Sequence, residues 1–149
     1  MSHAAPVPVG AREVFDRFLK ASVTNAMDDL ADLYATDAVI EIPWTPDGVP
    51  LRSAGGREEI RARFRGTAAV FRIERADPVV VHETTDPETI VAEFDLHLRI
   101  TRTGEVVRGP YVMVVRTRDG LIVHSRDYTD PTSNAALREE IRHVLAHRR

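Results

Sequence analysis

The chain has 149 residues, 43% of them hydrophobic, a formal net charge of −3 and no cysteine. That length suits one domain with enough apolar surface for its own core. A small charge, spread evenly, excludes a nucleic-acid footprint or a membrane-surface patch, and the lack of cysteine excludes disulfides, thiolate metal sites and a cysteine nucleophile.

Residues 1–10 are small and proline-rich, without the basic and apolar runs of a signal peptide, and read as a flexible tail. No stretch reaches transmembrane length, and the expected location is cytoplasmic. From Ala11 to Val23, the residues Val14, Phe15, Phe18 and Leu19 recur at helical spacing. Thr24 or Asn25 can cap a second helix, with Asp28 and Asp29 in its first turn and Leu30, Leu33 and Tyr34 on its inner face. Ala38 to Trp44 is strand-prone, with Val39 and Glu41 on one face and Ile40, Ile42 and Trp44 on the other, and the Thr45-Pro46-Asp47-Gly48 turn ends it. A short third helix follows Gly55-Gly56 over Arg57 to Phe64, where Ile60 and Phe64 sit one turn apart.

The rest is strand with turn punctuation: Phe71 to Glu83, Thr89 to Thr101, Glu105 to Arg116 and Leu121 to Tyr128. Short connectors between consecutive strands make an antiparallel meander, and helices gathered ahead of strands argue an α+β fold over a βαβ repeat. Asn134 to His147 reads as a terminal helix or frayed tail with Leu137, Ile141, Val144 and Leu145 on one side. The domain proper is residues 11–133, followed by this C-terminal helix or tail at 134–149.

Three stretches carry a resemblance: Leu30 to Pro43, Gly56 to Ile60, and Asp119 to Pro131, which ends in Arg126-Asp127-Tyr128-Thr129-Asp130-Pro131. In this order and spacing they resemble the SnoaL-like polyketide cyclases of the NTF2-like superfamily, which also includes ketosteroid isomerase and limonene epoxide hydrolase. The proline-rich loop after Trp44 and the closing Asp-Tyr-x-Asp-Pro are also similar to phenazine-biosynthesis-like proteins. The resemblance implies a cone, a curved antiparallel sheet wrapped by N-terminal helices around one pocket. It also implies a homodimer paired through the outer face of the sheet.

Carried over residue by residue, most catalytic positions of these relatives are absent. Where ketosteroid isomerases keep a base, a helix-one hydroxyl and a late-strand carboxyl, this chain has Ile42, Phe18 and Val112 or Met113. None of these can move a proton. The two aspartates of the epoxide hydrolases correspond to Asp95 and Asp127, but Glu93 replaces their arginine, and Ile40 and Ile42 replace the water holders. The acid/base aspartate of the polyketide cyclases corresponds to Asp127, while Met113 stands where their histidine would be.

Strand alternation puts Asp127, Ser125 and Val123 on one face, Tyr111 and Met113 on one face of the preceding strand, and Glu93, Asp95 and His97 on one face of the strand before. If the inner faces coincide, Glu93, Asp95 and Asp127 converge beneath an apolar lid of Phe18, Ile42 and Trp44. Tyr34 and Met113 then join the substrate-binding wall. Such carboxyls resist ionisation and suit acid/base work, with Tyr111 donating to a developing oxyanion. The expected function is a cofactor-free cyclase or isomerase of secondary metabolism acting on a carbonyl-containing, polyketide-like small molecule. The alternative is a non-catalytic module that binds a hydrophobic ligand or a protein partner. No cofactor, nucleic acid or membrane is expected as a partner. His143 and His147 lie four apart, a zinc-compatible spacing, but no third ligand accompanies them, and no metal is expected.

Overall fold

The alternating second half of the chain forms most of one sheet. The computed structural model describes residues 9–45, 47–131 and 137–140. The elements, in order, are α1 (Ala11–Val23), α2 (Met27–Asp32), β1 (Tyr34–Ile42), β2 (Leu51–Ser53), α3 (Arg57–Ala68), β3 (Phe71–Glu83), β4 (Thr89–Ile100), β5 (Val106–Arg118) and β6 (Leu121–Thr129). The strands make a curved, unclosed six-stranded sheet in the order β2-β1-β6-β5-β4-β3. Every pair is antiparallel except β1 with β6, which run parallel. This is the expected α+β architecture, and β3 to β6 are the expected meander.

The differences lie near the N-terminal helices. Residue 34, read as part of the second helix, begins β1, because Ile122 N donates to Leu33 O at 2.8 Å and Tyr34 stands beside Ile122. Neither Thr24 nor Asn25 caps α2, whose N-cap is Ala26. Thr24 instead closes α1, donating from Oγ1 to Lys20 O at 2.8 Å. Asn25 sits at φ 55 and answers both backbone groups of Ile73: its Nδ2 donates to Ile73 O at 3.0 Å, and Ile73 N donates to its Oδ1 at 2.8 Å. A side chain that satisfies a donor and an acceptor of β3 serves the fold more than a cap would. The edge strand β2, three residues beyond the proline-rich loop, has no counterpart among the expected elements.

Helices α1 and α3 cover one face of the sheet. Val14 and Phe15 of α1 and Ile60 of α3 are buried with Ile40, Ile90, Ala92, Phe94, Met113, Val115 and Ile122. Phe15 lies 5.7 Å from the ring of Phe18 and 5.7 Å from that of Phe94. Burial of aromatic and aliphatic side chains of this size stabilises by about 1.5–3 kcal/mol each. Gly56 sets how closely α3 starts against β1: at φ +80, a Cβ there would meet Thr36 O at 2.1 Å. A second cluster joins Val70, Ile73 and Leu98 to Leu137. Leu137 belongs to the short helical segment 137–140, whose Glu140 accepts from Arg102 Nε at 2.8 Å and Nη2 at 2.9 Å. Ile141, Val144, Leu145, His143 and His147 of the expected terminal helix lie outside the described residues.

Candidate functional site

Register fixes which side chains share the covered face. Asp127 stands opposite Met113, Met113 opposite Ala92, and Ser125 opposite Val115. Ala92, Met113, Val115 and Ser125 are all buried, so Asp127 points into the helix-covered side. A bulge at Val123, between the pairs Ile122–Thr117 and His124–Arg116, lets both Ile122 and Ser125 face inward, where plain alternation would have turned Val123 in. On α3, helical spacing gathers Ile60, Phe64 and Thr67 on the face turned to the sheet, with the exposed Arg63 at its margin.

These elements enclose a cavity of about 110 Å³. Its wall is Phe18 of α1, Tyr34 and Ile40 of β1, Ile60, Arg63, Phe64 and Thr67 of α3, and Asp127 of β6. Burial pushes the Asp127 carboxyl from 3.8 up to about 6, against opposing pulls from the Ser125 hydroxyl and the Arg63 cation. Burial also raises the Tyr34 phenol well above its ordinary value, and the nearby Asp127 charge raises it further. Ser125 Oγ is close enough to Asp127 and Tyr34 to favour their charged forms. Yet no well-formed hydrogen bond reaches Ser125 Oγ or Asp127 Oδ1, and both atoms are fully buried. Buried polar atoms without partners are uncommon and mark places where water or a ligand belongs. The site therefore combines a carboxyl that exchanges its proton near neutrality with neutral hydroxyls and one cation.

Of the expected site residues, Asp127, Phe18 and Tyr34 meet at this cavity. Glu93 and Asp95 do not. Their strand buries Ala92 and Phe94, so alternation turns both acids to the opposite face of the sheet. There His82 Nε2 lies 2.6 Å from Glu93 Oε2, and Arg108 grips Asp95, its Nε donating at 2.7 Å. Neither carboxyl can share a substrate with Asp127, and the pairing of Asp95 with Asp127 taken from the epoxide hydrolases fails for the same reason. Trp44 is no lid either. It is 58% exposed and sits edge-on to Tyr128 with centroids 5.0 Å apart, on a separate groove of about 480 Å³. Ile42 packs against the core without lining the cavity, and Met113 is buried beside Asp127 in the sheet. Tyr111 stacks on Phe94 at 5.5 Å and 7° and lines the groove. It still senses the site, since burial and then the Asp127 charge push its phenol up to about 12.

The sequence reading missed Arg63 and Thr67. The signal for both was their position three and seven residues after Ile60, on the apolar stripe of α3. Among the described residues no cluster of three potential metal ligands occurs, and no helix is long and apolar enough to cross a membrane.

The family model described as SnoaL-like domain matches residues 15–125. The chain belongs to this SnoaL-like family. A PhzA/B-like protein of Pseudomonas aeruginosa, itself uncharacterised, is 31% identical over 123 residues, which are 83% of this chain and 86% of that one. A crystal structure of a Bacillus subtilis protein, provisionally described as an isomerase, superimposes with a TM-score of 0.78 at 28% identity and covers 87% of this chain and 93% of that one. A Pseudomonas putida protein, provisionally described as a polyketide cyclase, gives a TM-score of 0.72 at 17% identity over 87% and 98% of the two chains, a likeness of fold. The SnoaL-like match covers the cavity wall from Phe18 to Thr67 and ends two residues before Asp127.

Proposed function

We propose that this SnoaL-like protein is a small cofactor-free enzyme, a cyclase or isomerase of secondary metabolism, in which Asp127 is the general acid/base on a carbonyl-bearing, polyketide-like molecule. The observation that carries this reading is the buried, unpartnered Asp127 Oδ1 on a cavity wall. With a pKa near 6, the carboxylate is about 90% ionised at pH 7 and can still return a proton, the compromise that acid/base catalysis requires. The ionised Asp127 takes a proton from a carbon next to a carbonyl, and the C–H electron pair moves onto the carbonyl oxygen as an enolate. The enolate carbon then bonds to a second carbonyl, whose oxygen takes the Asp127 proton and closes the ring, or the enolate takes that proton back at another carbon in an enol shift, and neither course needs an outside reagent. Tyr34, whose raised pKa keeps it a neutral donor, is the cavity hydroxyl suited to the developing oxyanion.

The test is deuterium incorporation next to the carbonyls of cyclic diketones and aromatic polyketide-like ketones in D₂O, read by NMR. Wild type should exchange with a rate that rises with pH around an apparent pKa near 6, and Asp127→Asn should lose most of it. Ligand binding without exchange, or equal exchange in Asp127→Asn, would move the assignment to a binding module. The homodimer implied by the family resemblance is part of the proposal. Its surface would be the outer face, where Val80 and Trp44 are exposed.

A further inference from the structure

Arg63 has no role yet in this chemistry. Its helix carries several arginines, and the others near it have work to do. Arg61 reaches Asp28, Asp32 and Glu58, Arg65 reaches Asp28, and Arg57 Nε donates to Tyr34 O at 2.8 Å. Arg63 alone of these four lines the cavity, and among the described residues it has no hydrogen-bond or ion-pair partner. It shares that wall with Asp127 and Tyr34, and both feel its charge, yet no ion pair joins it to Asp127. Contact with Arg63 would have held the Asp127 carboxyl low. A gap therefore separates the two charges, and the cavity fills it.

We infer that Arg63 is the anchor for an anionic group of the substrate, so that the site takes a small carbonyl compound bearing a carboxylate, held by Arg63 with its carbonyl carbon chain toward Asp127. A guanidinium matches a carboxylate in a two-pronged hydrogen bond and remains charged at any working pH. The cavity of about 110 Å³ is below the several hundred ångströms cubed of drug-sized ligand sites, so a compact ligand fits it best. The inference rests on the acid/base reading only for what happens after binding. The anion site itself stands on the geometry of Arg63.

A ligand carboxylate beside Asp127 adds a like charge, so binding and proton uptake at Asp127 are linked. The groups facing Asp127 are Tyr34 from β1, Tyr111 from β5, Ser125 from its own strand, and Arg63 and Thr67 from α3, with α1 contributing the uncharged Phe18. Both tyrosines stay neutral below pH 8, so Asp127 is the group whose charge changes against the fixed cation. Anion affinity should fall as pH rises from 5 to 8.

The experiment compares acetoacetate with its neutral methyl ester, on wild type, Arg63→Met, Arg63→Lys and Asp127→Asn, by NMR titration at pH 5.5 and 8. Wild type should bind acetoacetate saturably and better at pH 5.5. Arg63→Met should bind it at least tenfold more weakly, Arg63→Lys should recover part of the loss, and the ester should be indifferent to residue 63. A carbon-detected titration of the Asp127 carboxyl without ligand gives an independent readout: its pKa should rise in Arg63→Met. Equal acetoacetate binding by wild type and Arg63→Met, no saturable binding at tens of millimolar, an ester as good as the acid, or an unmoved Asp127 titration would each overturn the anchor. Asp127→Asn separates the two readings. It should keep acetoacetate binding, now independent of pH, whereas unchanged proton exchange in that variant would overturn the catalytic reading and leave the anchor in place.

Discussion

Replacing Asp127 by asparagine should make the protein more stable at neutral pH. Burial raises this carboxyl from 3.8 to about 6, so the fold disfavours its charged form. At 1.36 kcal/mol for each pKa unit, the ionised group destabilises the native state by up to about 3 kcal/mol. The sign follows from proton counts. Between the two pKa values the native state holds the proton more tightly than the unfolded chain does, so stability falls as pH rises through this window and is level above it. Below pH 3.8 both states are protonated and the penalty vanishes. Other carboxylates, such as Asp28 and Asp47, are held low by their hydrogen bonds and act in the opposite sense, so the informative quantity is the difference between wild type and variant. Urea unfolding of both proteins from pH 4 to pH 8 should give nearly equal stabilities at pH 4 and a gap that opens to about 2–3 kcal/mol by pH 7. In thermal scans that gap is roughly 4–12 °C at a typical 2–4 °C per kcal/mol for a chain of this size. A gap that does not change with pH, or one that closes as pH rises, would refute the buried and disfavoured carboxylate. A catalytic group bought at the expense of stability is the pattern expected of an acid/base site.

Gly56→Ala should destabilise by at least about 2 kcal/mol in the same urea assay, since it adds left-handed strain to a clash with Thr36 O. Glu93→Gln and Asp95→Asn should leave proton exchange within a factor of about two of wild type in the deuterium assay, because both acids lie on the face away from Asp127. Val80→Arg, which places a charge among the exposed apolar side chains of the outer face, should convert the proposed dimer to a monomer in light scattering while the circular-dichroism spectrum is kept.

Local pattern made much of this molecule legible. The limits of β3, Phe71 to Glu83, could be read directly because turn-forming residues bound a long alternating run. The inward aim of Asp127 followed from alternation along β6 and from its match to the family motif. Glu93 and Asp95 were misplaced because alternation says which residues share a face without saying which face is covered. Their own strand held the answer: Ile90, Ala92, Phe94, Leu98 and Ile100 are its inward apolar set, and acids interleaved with that set take the opposite face, where Asp95 is buried in its pairing with Arg108. Trp44 was misplaced for another reason, since the sheet face ends with β1 at Ile42 and a residue beyond it no longer obeys the alternation. Arg63 was hidden by its type. An arginine on a helix reads as solvated, and this one is exposed; only the packing of α3 against β1 brings it to the edge of the cavity.

The parallel contact between β1 and β6 makes the order of events during synthesis matter. Tyr34 and Ile40 leave the ribosome long before Asp127, and the strand that lies between β1 and the rest of the meander is the last to emerge. Until then β1 has only the three-residue β2 as a partner, and an isolated pair of that size is marginal in water. Contacts so distant in sequence are slow to form, and an unpaired strand edge invites association in the meantime. The nascent chain therefore has no half-built version of the cavity: the strand that completes the sheet is the one that delivers the carboxylate.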